Sequence, residues 1–359
     1  MEDLVSAETW RDRRVLVTGH TGFKGSWLAL WLRELGAEVT GLALPPSEPS
    51  LYSQARIGEL VHSIEGDIRD PKVVEAAVAE ARPEVVFHLA AQPLVRLSYE
   101  QPVETFATNV QGTVHVLDAC RRAADLKAIV CVTSDKCYEN REWVWPYRET
   151  DPMGGHDPYS ASKGAAELVI ASYRRSYFQD GPLLASVRAG NVIGGGDWAA
   201  DRLVPDIVRA ILAGREVEIR SPGSIRPWQH VLEALGGYLM IAGRLMRGER
   251  AIADGWNFGP ADDDSQPVGW IVARMLAAWG QGHATTSQGT QPHEANLLRL
   301  DCSKARRELG WQATWRLQTT VEQIVDWHRL VADGHDPRQV SLTHLARYRN
   351  DLMISRRTP

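Results

Sequence analysis

The run Arg13-Arg-Val-Leu-Val-Thr18, followed at once by Gly19-His-Thr-Gly22-Phe-Lys-Gly25, decides the fold of this chain. The apolar run reads as a buried strand, and Ser26-Trp-Leu-Ala-Leu-Trp-Leu-Arg-Glu-Leu as a helix with Gly36 as its stop. Ala37-Glu-Val-Thr-Gly-Leu-Ala43 returns as a second strand. Strand, glycine turn, helix and strand make a βαβ unit. Its glycines let backbone N–H groups approach a pyrophosphate at the helix N-terminus, where peptide dipoles favour negative charge. Spaced glycines also suit a tight turn in any α/β protein. Their place directly after the first strand favours the dinucleotide.

The alternation continues outward. Val61-His-Ser-Ile-Glu-Gly66-Asp67 reads as a strand, and Asp70-Pro71 as the cap of a helix running to Ala81. Val85-Val-Phe-His88-Leu-Ala-Ala91 is a fourth strand, and Val103 to Ala123 a long helix. Ala128-Ile-Val-Cys-Val132 is a fifth strand, and Leu183-Leu-Ala-Ser-Val-Arg188 a sixth. Helices between continuously apolar strands imply an α/β fold with a doubly wound parallel, Rossmann-type sheet, its ligands at the carboxyl ends of the strands. After residue 188 the alternation weakens, which predicts a smaller C-terminal substrate-binding lobe over 189–359 against a dinucleotide-binding domain over 1–188. That boundary is soft, with some later segments returning to the first domain. Asp201 reads as the cap of a helix over Arg202–Gly214, and further helices are expected to Arg247, over Pro267–Gly280, Ser303–Leu309 and Thr320–Ala332. Ala261–Gln266 and Gln281–Thr290 read as polar loops.

Composition narrows the function. A formal net charge of −5 gives no basic footprint, so nucleic acid is a poor partner. Four cysteines without a CxxC pair argue against a zinc site or a disulfide framework, and so toward a reducing, cytoplasmic setting. The first residues carry no apolar signal core and no run reaches membrane-span length, so no membrane association is expected.

The chemistry-bearing residues cluster after the fifth strand. Thr133-Ser134-Asp135-Lys136-Cys137-Tyr138 offers a hydroxyl, a carboxylate and an amine, and Asp157-Pro-Tyr159-Ser-Ala-Ser-Lys163 opens a helix. Tyr159 and Lys163 lie four residues apart and therefore on one helix face. A phenol with a pKa near ~10 is a poor base, and a neighbouring ammonium favours its phenolate. An isolated Tyr-x-x-x-Lys is more often an exposed helix pair, so Ser134 at the strand end gives it weight. Thr133 is the alternative hydroxyl, but strand alternation turns it to the other side. His88, inside an apolar run, reads as a core histidine.

Thr18-Gly-His-Thr-Gly-Phe-Lys-Gly25, Gly66-Asp67-Ile68, His88-Leu-Ala-Ala-Gln92, Thr108-Asn109-Val110 and Tyr159-x-x-x-Lys163 together resemble the extended short-chain dehydrogenase/reductase family over essentially the whole chain. Gly-His-Thr-Gly-Phe-Lys-Gly-Ser-Trp27, Thr-Ser-Asp-Lys-Cys-Tyr138 and Gly154-Gly-His-Asp-Pro-Tyr-Ser-Ala-Ser-Lys163 narrow the resemblance to its nucleotide-sugar 4,6-dehydratases, and among them to those acting on CDP-glucose.

The resemblance implies that Gly19, Gly22, Phe23 and Gly25 line a cofactor pyrophosphate and that Asp67 and Ile68 face its adenine. It implies that Leu89, Ala90 and Ala91 border the cofactor, that Asn109 supports the active-site backbone, and that Tyr159 and Lys163 also reach the cofactor. The cofactor implied is NAD. The end of the second strand, Gly41-Leu-Ala-Leu-Pro-Pro46, lacks the acid that holds a ribose hydroxyl, and Lys24 adds positive charge, so NADP stays open. Asn191, Arg202 and Arg226 match positions that contact the nucleotide-diphosphate sugar. Trp198, Trp228 and Trp256 offer stacking surfaces for a base, with core packing the expected job of at least two.

The implied reaction is oxidation at sugar C4 by Ser134, Tyr159 and Lys163, loss of water across C5 and C6, and reduction at C6. Asp135 would protonate the departing C6 hydroxyl, and Lys136 stands where thymidine-type relatives place a glutamate base. A dry site would favour a neutral Asp135/Lys136 pair with Lys136 as base. A wet one would leave Lys136 an orienting cation, with Tyr159 or water taking the proton. A 4-epimerase or a dehydratase of another nucleotide sugar shares the fold and the Tyr/Lys pair, and a non-catalytic cofactor-binding regulator is the contrasting class. A homodimer is the family expectation.

Overall fold

In the computed structural model, which describes residues 5–286 and 297–355, seven strands form one sheet. They are β1 (Arg14–Thr18), β2 (Glu38–Ala43), β3 (His62–Glu65), β4 (Val85–His88), β5 (Ala128–Val132), β6 (Leu183–Ala189) and β7 (Gly255–Phe258). All pairings are parallel, in the spatial order β7-β6-β5-β4-β1-β2-β3. The chain moves outward from β1 to β3, then crosses back to lay β4 on the other side of β1. The crevice between the ends of β1 and β4 is the switch point where such sheets bind ligands.

Alternate residues of each strand face different cores. Val15 and Val17 of β1, Val85 and Phe87 of β4, and Val130 of β5 pack on one side of the sheet. Leu16, Val86 and Ile129 pack on the other. With both faces covered there is no polar face, which is why these strands are continuously apolar in sequence.

The second core is closed by α2 (Pro71–Ala81), α3 (Gly112–Cys120) and α4 (Pro158–Ser176) through Val74, Val78, Val116, Leu117 and Ile170. The first is closed by α1 (Phe23–Glu34), whose Trp27 to Leu32 are all buried. That helix has no polar face to show because later segments cover it. Trp27 Nε1 donates to the Gly195 carbonyl at 2.9 Å, and Trp31 meets Tyr348 edge-on with ring centroids 5.7 Å apart. A third core, with Val204, Ile207, Ile271, Met275 and Ile324, sits in the later part of the chain. It joins α5 (Leu203–Leu212), α7 (Val268–Trp279) and α8 (Leu317–Ala332), while α6 (Val231–Met246) and β7 return to the sheet.

Four local expectations are corrected. The long helix expected from Val103 is a run of Pro102–Phe106, a π-turn over Ala107–Gln111, and α3. The π-turn carries Asn109 and turns its amide toward the ends of β4 and α4. Asp201 is not the cap of α5: Arg202 holds that position, and Asp201 adopts a left-handed φ of 59°. Its carboxylate accepts from Arg220 at 2.9 Å and Arg96 at 3.4 Å, two cations that outcompete the backbone N–H groups a cap would serve. Within the two expected polar loops, Ser265–Pro267 and Ala284–Thr286 pair as short strands with Ile225–Pro227 and Val217–Ile219. Residues 287–290 of the second loop lie outside the described residues. Finally, a helix not expected from the sequence, α9 (Pro337–Ser355), packs Leu345 and Tyr348 into the first core.

Candidate active site

Gly19, at the end of β1, has φ 76° and lies against β4: a Cβ there would stand 2.7 Å from the Ala90 nitrogen. A Cβ on Gly25 would stand 2.1 Å from the Gly19 carbonyl oxygen, so the turn closes only with glycine at both places. Gly22 differs. It is exposed, its Cβ direction meets nothing nearer than the Gly19 oxygen at 3.4 Å, and it caps α1 without a side-chain hydrogen bond. No acid occupies the first turn of α1. An open backbone cap on a twelve-residue helix with no competing carboxylate fits a dinucleotide diphosphate.

The rest of the crevice is a strip of half-buried small residues. Leu89, Ala90 and Ala91 follow β4, and Phe23 lies across from them against Gly194. Asp67 is held by its own neighbour, accepting from the Arg69 backbone N–H at 2.8 Å and from its guanidinium. Ile68 packs its side chain against Gly112 of α3. His20 fills the space over Gly41 of β2, where a Cβ would stand 2.2 Å from its ring, and pairs with the Ser63 hydroxyl at 2.7 Å. An imidazole packed on a glycine thus lies beside the end of β2, which carries no acid.

Asn109 joins three parts of the site. Its Oδ1 accepts from the Gln92 N–H at 2.8 Å, and its Nδ2 donates to the Gln92 carbonyl at 3.1 Å and the Ser162 hydroxyl at 2.8 Å. Ser162 donates in turn to the Tyr159 carbonyl at 2.7 Å. Ser98 accepts the Tyr159 N–H at 3.1 Å, and Asp157 caps α4 through the Ser160 N–H. The first turn of the Tyr159 helix is therefore held from both sides. His88 sits between Thr18 and Thr113 at 2.7 and 3.0 Å, and burial holds it neutral down to about 3. It is a core histidine.

At the end of β5, Ser134 donates to Asp135 Oδ1 at 3.0 Å and also hydrogen-bonds Tyr159. Thr133 points the other way, donating to Glu167. Asp135 is buried and Lys136 half-buried. Burial pushes the Asp135 carboxyl above the usual carboxylate range, while Lys136, the Ser134 hydroxyl, Arg226 and Lys24 pull it back. Burial likewise pushes Tyr159 up to about 12, against the Ser134 hydrogen bond and the Arg202 charge. Lys163 is pushed down to about 8 by burial, opposed by Glu167. The simple expectation that an ammonium lowers the tyrosine is thus outweighed by desolvation of the phenolate.

From the later part of the chain, Arg202 pairs with the buried Asp197 at 3.0 Å and its charge reaches Tyr159. Arg226 is 4% exposed and its charge reaches Asp135. Asn191, half-buried, accepts the Gln229 N–H through its carbonyl at 3.0 Å. Of the tryptophans, Trp228 and Trp256 are core, and Trp198 donates to Gln54 at 2.9 Å while meeting His328 edge-on.

A family model described as GDP-mannose 4,6 dehydratase matches residues 16–324. The chain belongs to that family, within the extended short-chain dehydrogenases/reductases. The chain is 54% identical over 341 residues to the CDP-glucose 4,6-dehydratase of Salmonella typhimurium, covering 93% of this chain and 95% of that one. Among solved structures, the dTDP-glucose 4,6-dehydratase DesIV of Streptomyces venezuelae shares the fold with a TM-score of 0.77 at 23% identity, covering 90% of this chain and 99% of the other. The UDP-glucose 4-epimerase of Thermus thermophilus, solved with NAD, matches with a TM-score of 0.75 at 25% identity, covering 88% and 99%.

Family membership leaves several residues of this cleft unforeseen. In the sequence Lys24 shows only as charge on the glycine turn. Its ammonium in fact lies among Arg202, Lys163, Asp135 and Asp197, and burial with the two cations pushes it down to about 8. The second position of a helix carries no such signal, because only the packing of later segments on the sheet brings it there. Asp197, Ser98 and Ser162 gave no signal for the same reason. Among the described residues, no helix is long and apolar enough to cross a membrane.

Proposed function

We propose that the protein is an NAD-dependent hydro-lyase that converts CDP-glucose to CDP-4-dehydro-6-deoxyglucose. The observation that carries this reading is Asp135: a buried carboxyl, hydrogen-bonded to the redox serine and raised in pKa by its burial. A plain C4 oxidation and re-reduction needs no acid at that place. The likeness to the Salmonella enzyme, at 54% identity, supports the same substrate class.

Gly19, Gly22, Phe23 and Gly25 would hold the NAD diphosphate, with Asp67 and Ile68 at the adenine and Leu89, Ala90, Ala91 and Asn109 along the crevice. When bound, NAD supplies the reversible redox capacity that takes hydrogen from C4 and gives it back at C6. Tyr159 takes the O4 proton while Ser134 fixes that oxygen, its hydrogen bond favouring the phenolate against the burial that raises it, and Lys163 stands one turn along the same helix face. The C4 carbonyl then acidifies the C5 proton. Asp135, whose carboxyl burial pushes above the usual carboxylate range, protonates the leaving C6 hydroxyl. Lys136 is half-buried, so its surroundings are not the dry site that a neutral pair requires. Lys136 therefore serves as the orienting cation of the elimination, and water takes the C5 proton, since Tyr159 already holds the one from O4. Asn191, Arg202 and Arg226 hold the nucleotide diphosphate, Arg202 from its seat on Asp197.

A second copy of the chain is proposed to pack on the outer face of the Pro102–Phe106 and α4 helices. Val103 is 74% and Leu168 64% exposed there, beside Tyr99 and Phe106, an apolar patch that a partner would cover. Four free cysteines, all buried, support a reducing, cytoplasmic setting.

Incubation with CDP-, dTDP-, UDP- and GDP-glucose, read by mass spectrometry, tests the substrate. Loss of one water from CDP-glucose at the highest kcat/KM is expected. Faster turnover of another nucleotide would replace the CDP assignment, and epimerisation without water loss would sink the dehydratase reading.

A further inference from the structure

One helical turn beyond Lys163, on the same face of α4, stands a carboxylate that the proposed chemistry does not use. Glu167 is 4% exposed, and its two oxygens accept from three residues on two strands at once. Thr133 at the end of β5 donates to Oε1. From β6, Ser186 donates to Oε2 at 2.7 Å, and Arg188 donates through Nε at 3.0 Å and Nη2 at 2.8 Å. Arg188 also donates to the Tyr138 hydroxyl at 2.7 Å, so the guanidinium is fixed in turn. A buried ion pair is a poor device for stability alone, since an apolar pair of the same volume holds three elements at least as well. What sets this carboxylate apart is its position. Its partner Thr133 precedes Ser134, and its own helix carries Tyr159 and Lys163.

We infer that Glu167 is a positioning residue for the oxidation step: it keeps Lys163 an ammonium and locks the Ser134 strand end against the Tyr159 helix. The inference rests on the redox reading proposed above. Several groups face Lys163. Tyr159 and Glu167 lie on its own helix, Cys131 on β5, Cys137 in the turn after it, His88 on β4 and Lys24 on α1. The two buried thiols are raised far above their ordinary range and stay neutral. His88 stays neutral and Lys24 repels. Glu167 is therefore the full negative charge that offsets burial at Lys163, whose pKa stands at about 8. Removing it lets the ammonium lose its proton at lower pH.

The test is the pH profile of kcat/KM for the NAD-loaded protein on CDP-glucose, in the wild type, Glu167→Gln, and the double variant Glu167→Gln/Arg188→Met. The double variant removes the guanidinium that the single one leaves uncompensated, and so keeps a folded protein in the comparison. In both variants the alkaline limb is expected to move down by about one pH unit, with about a tenfold loss near the wild-type limb and recovery at lower pH. In parallel, acetylation of Lys163 by acetic anhydride, followed against pH by mass spectrometry of the whole chain, should move the same way. A lowered plateau with an unmoved limb and an unmoved acetylation profile would reduce Glu167 to a structural brace and overturn the inference. A moved acetylation profile without turnover of any nucleotide sugar would uphold the hold of Glu167 on the Lys163 ammonium and overturn the function proposal instead.

Discussion

Asp135 accepts the Ser134 hydroxyl on Oδ1 at 3.0 Å, while its Oδ2 is buried with no hydrogen-bond partner among the described residues. One oxygen is tied to the proposed redox hydroxyl and the other is left with spare hydrogen-bonding capacity, the arrangement an acid needs to serve an adjacent carbon. Asp135→Asn keeps the shape and removes the proton. Product formation should fall about 10²- to 10⁴-fold, while oxidation at C4 persists and the near-UV absorbance of reduced nicotinamide builds up on substrate addition. Loss of that absorbance together with turnover would assign Asp135 to the oxidation instead.

An internal redox cycle makes an isotopic prediction that no stepwise pair of separate enzymes shares. Deuterium at C4 of the substrate should appear at C6 of the product, and solvent deuterium at C5. Mass spectrometry and NMR of the product read both. Washing-out of the C4 label into free solution would rule the cycle out.

The Asp197–Arg202 pair is expected to act on binding rather than on chemistry. Arg202 is one-third exposed and Asp197 almost fully buried, so the carboxylate aims the guanidinium into the cleft. Asp197→Asn should raise KM for the nucleotide sugar several-fold with kcat nearly unchanged, the signature of lost uniform binding. An equal fall in kcat would place Arg202 in the transition state.

The sheet was legible because its physics is local: strands covered on both faces must be apolar throughout, and Val15, Leu16 and Val17 announce that without any partner. Tyr159 and Lys163 were legible for a similar reason, since four residues of helix fix their common face. Glu167 and Arg188 were not, because an ion pair between a helix and a strand exists only after both have docked. Asp201 misled for the opposite reason: an Asp before a helix is a good local cap, and tertiary cations overrode it. The helix α9 escaped notice because its buried side includes Ser341 and His344, which break the apolar stripe.

Val103 and Leu168 give the dimer proposal its handle. Neither touches the cleft, so Val103→Glu with Leu168→Arg should leave the fold intact while halving the mass seen by light scattering. Far-UV circular dichroism checks the fold. An unchanged mass would move the partner to another face.

The last prediction concerns stability. Glu233, fully buried on α6, accepts from the Thr314 N–H at 2.9 Å, the Trp315 N–H at 2.7 Å and the Tyr348 hydroxyl at 2.9 Å, and so ties α9 and the Trp311–Trp315 segment to the sheet domain. Burial nevertheless raises its pKa from 4.5 to about 7. The folded state holds this proton more tightly than the unfolded chain, so the contribution is fully present below pH 4.5 and is lost as pH rises toward about 7. The loss amounts to about 3 kcal/mol across that window. Glu233→Gln has no proton to lose. Its melting temperature should lie below that of the wild type at the acid end, where the neutral acid satisfies its donors, and the gap should narrow or reverse toward neutrality. A gap constant with pH, measured by calorimetry from the acid end of the window to neutrality, would show that Glu233 is ionised in the folded protein throughout.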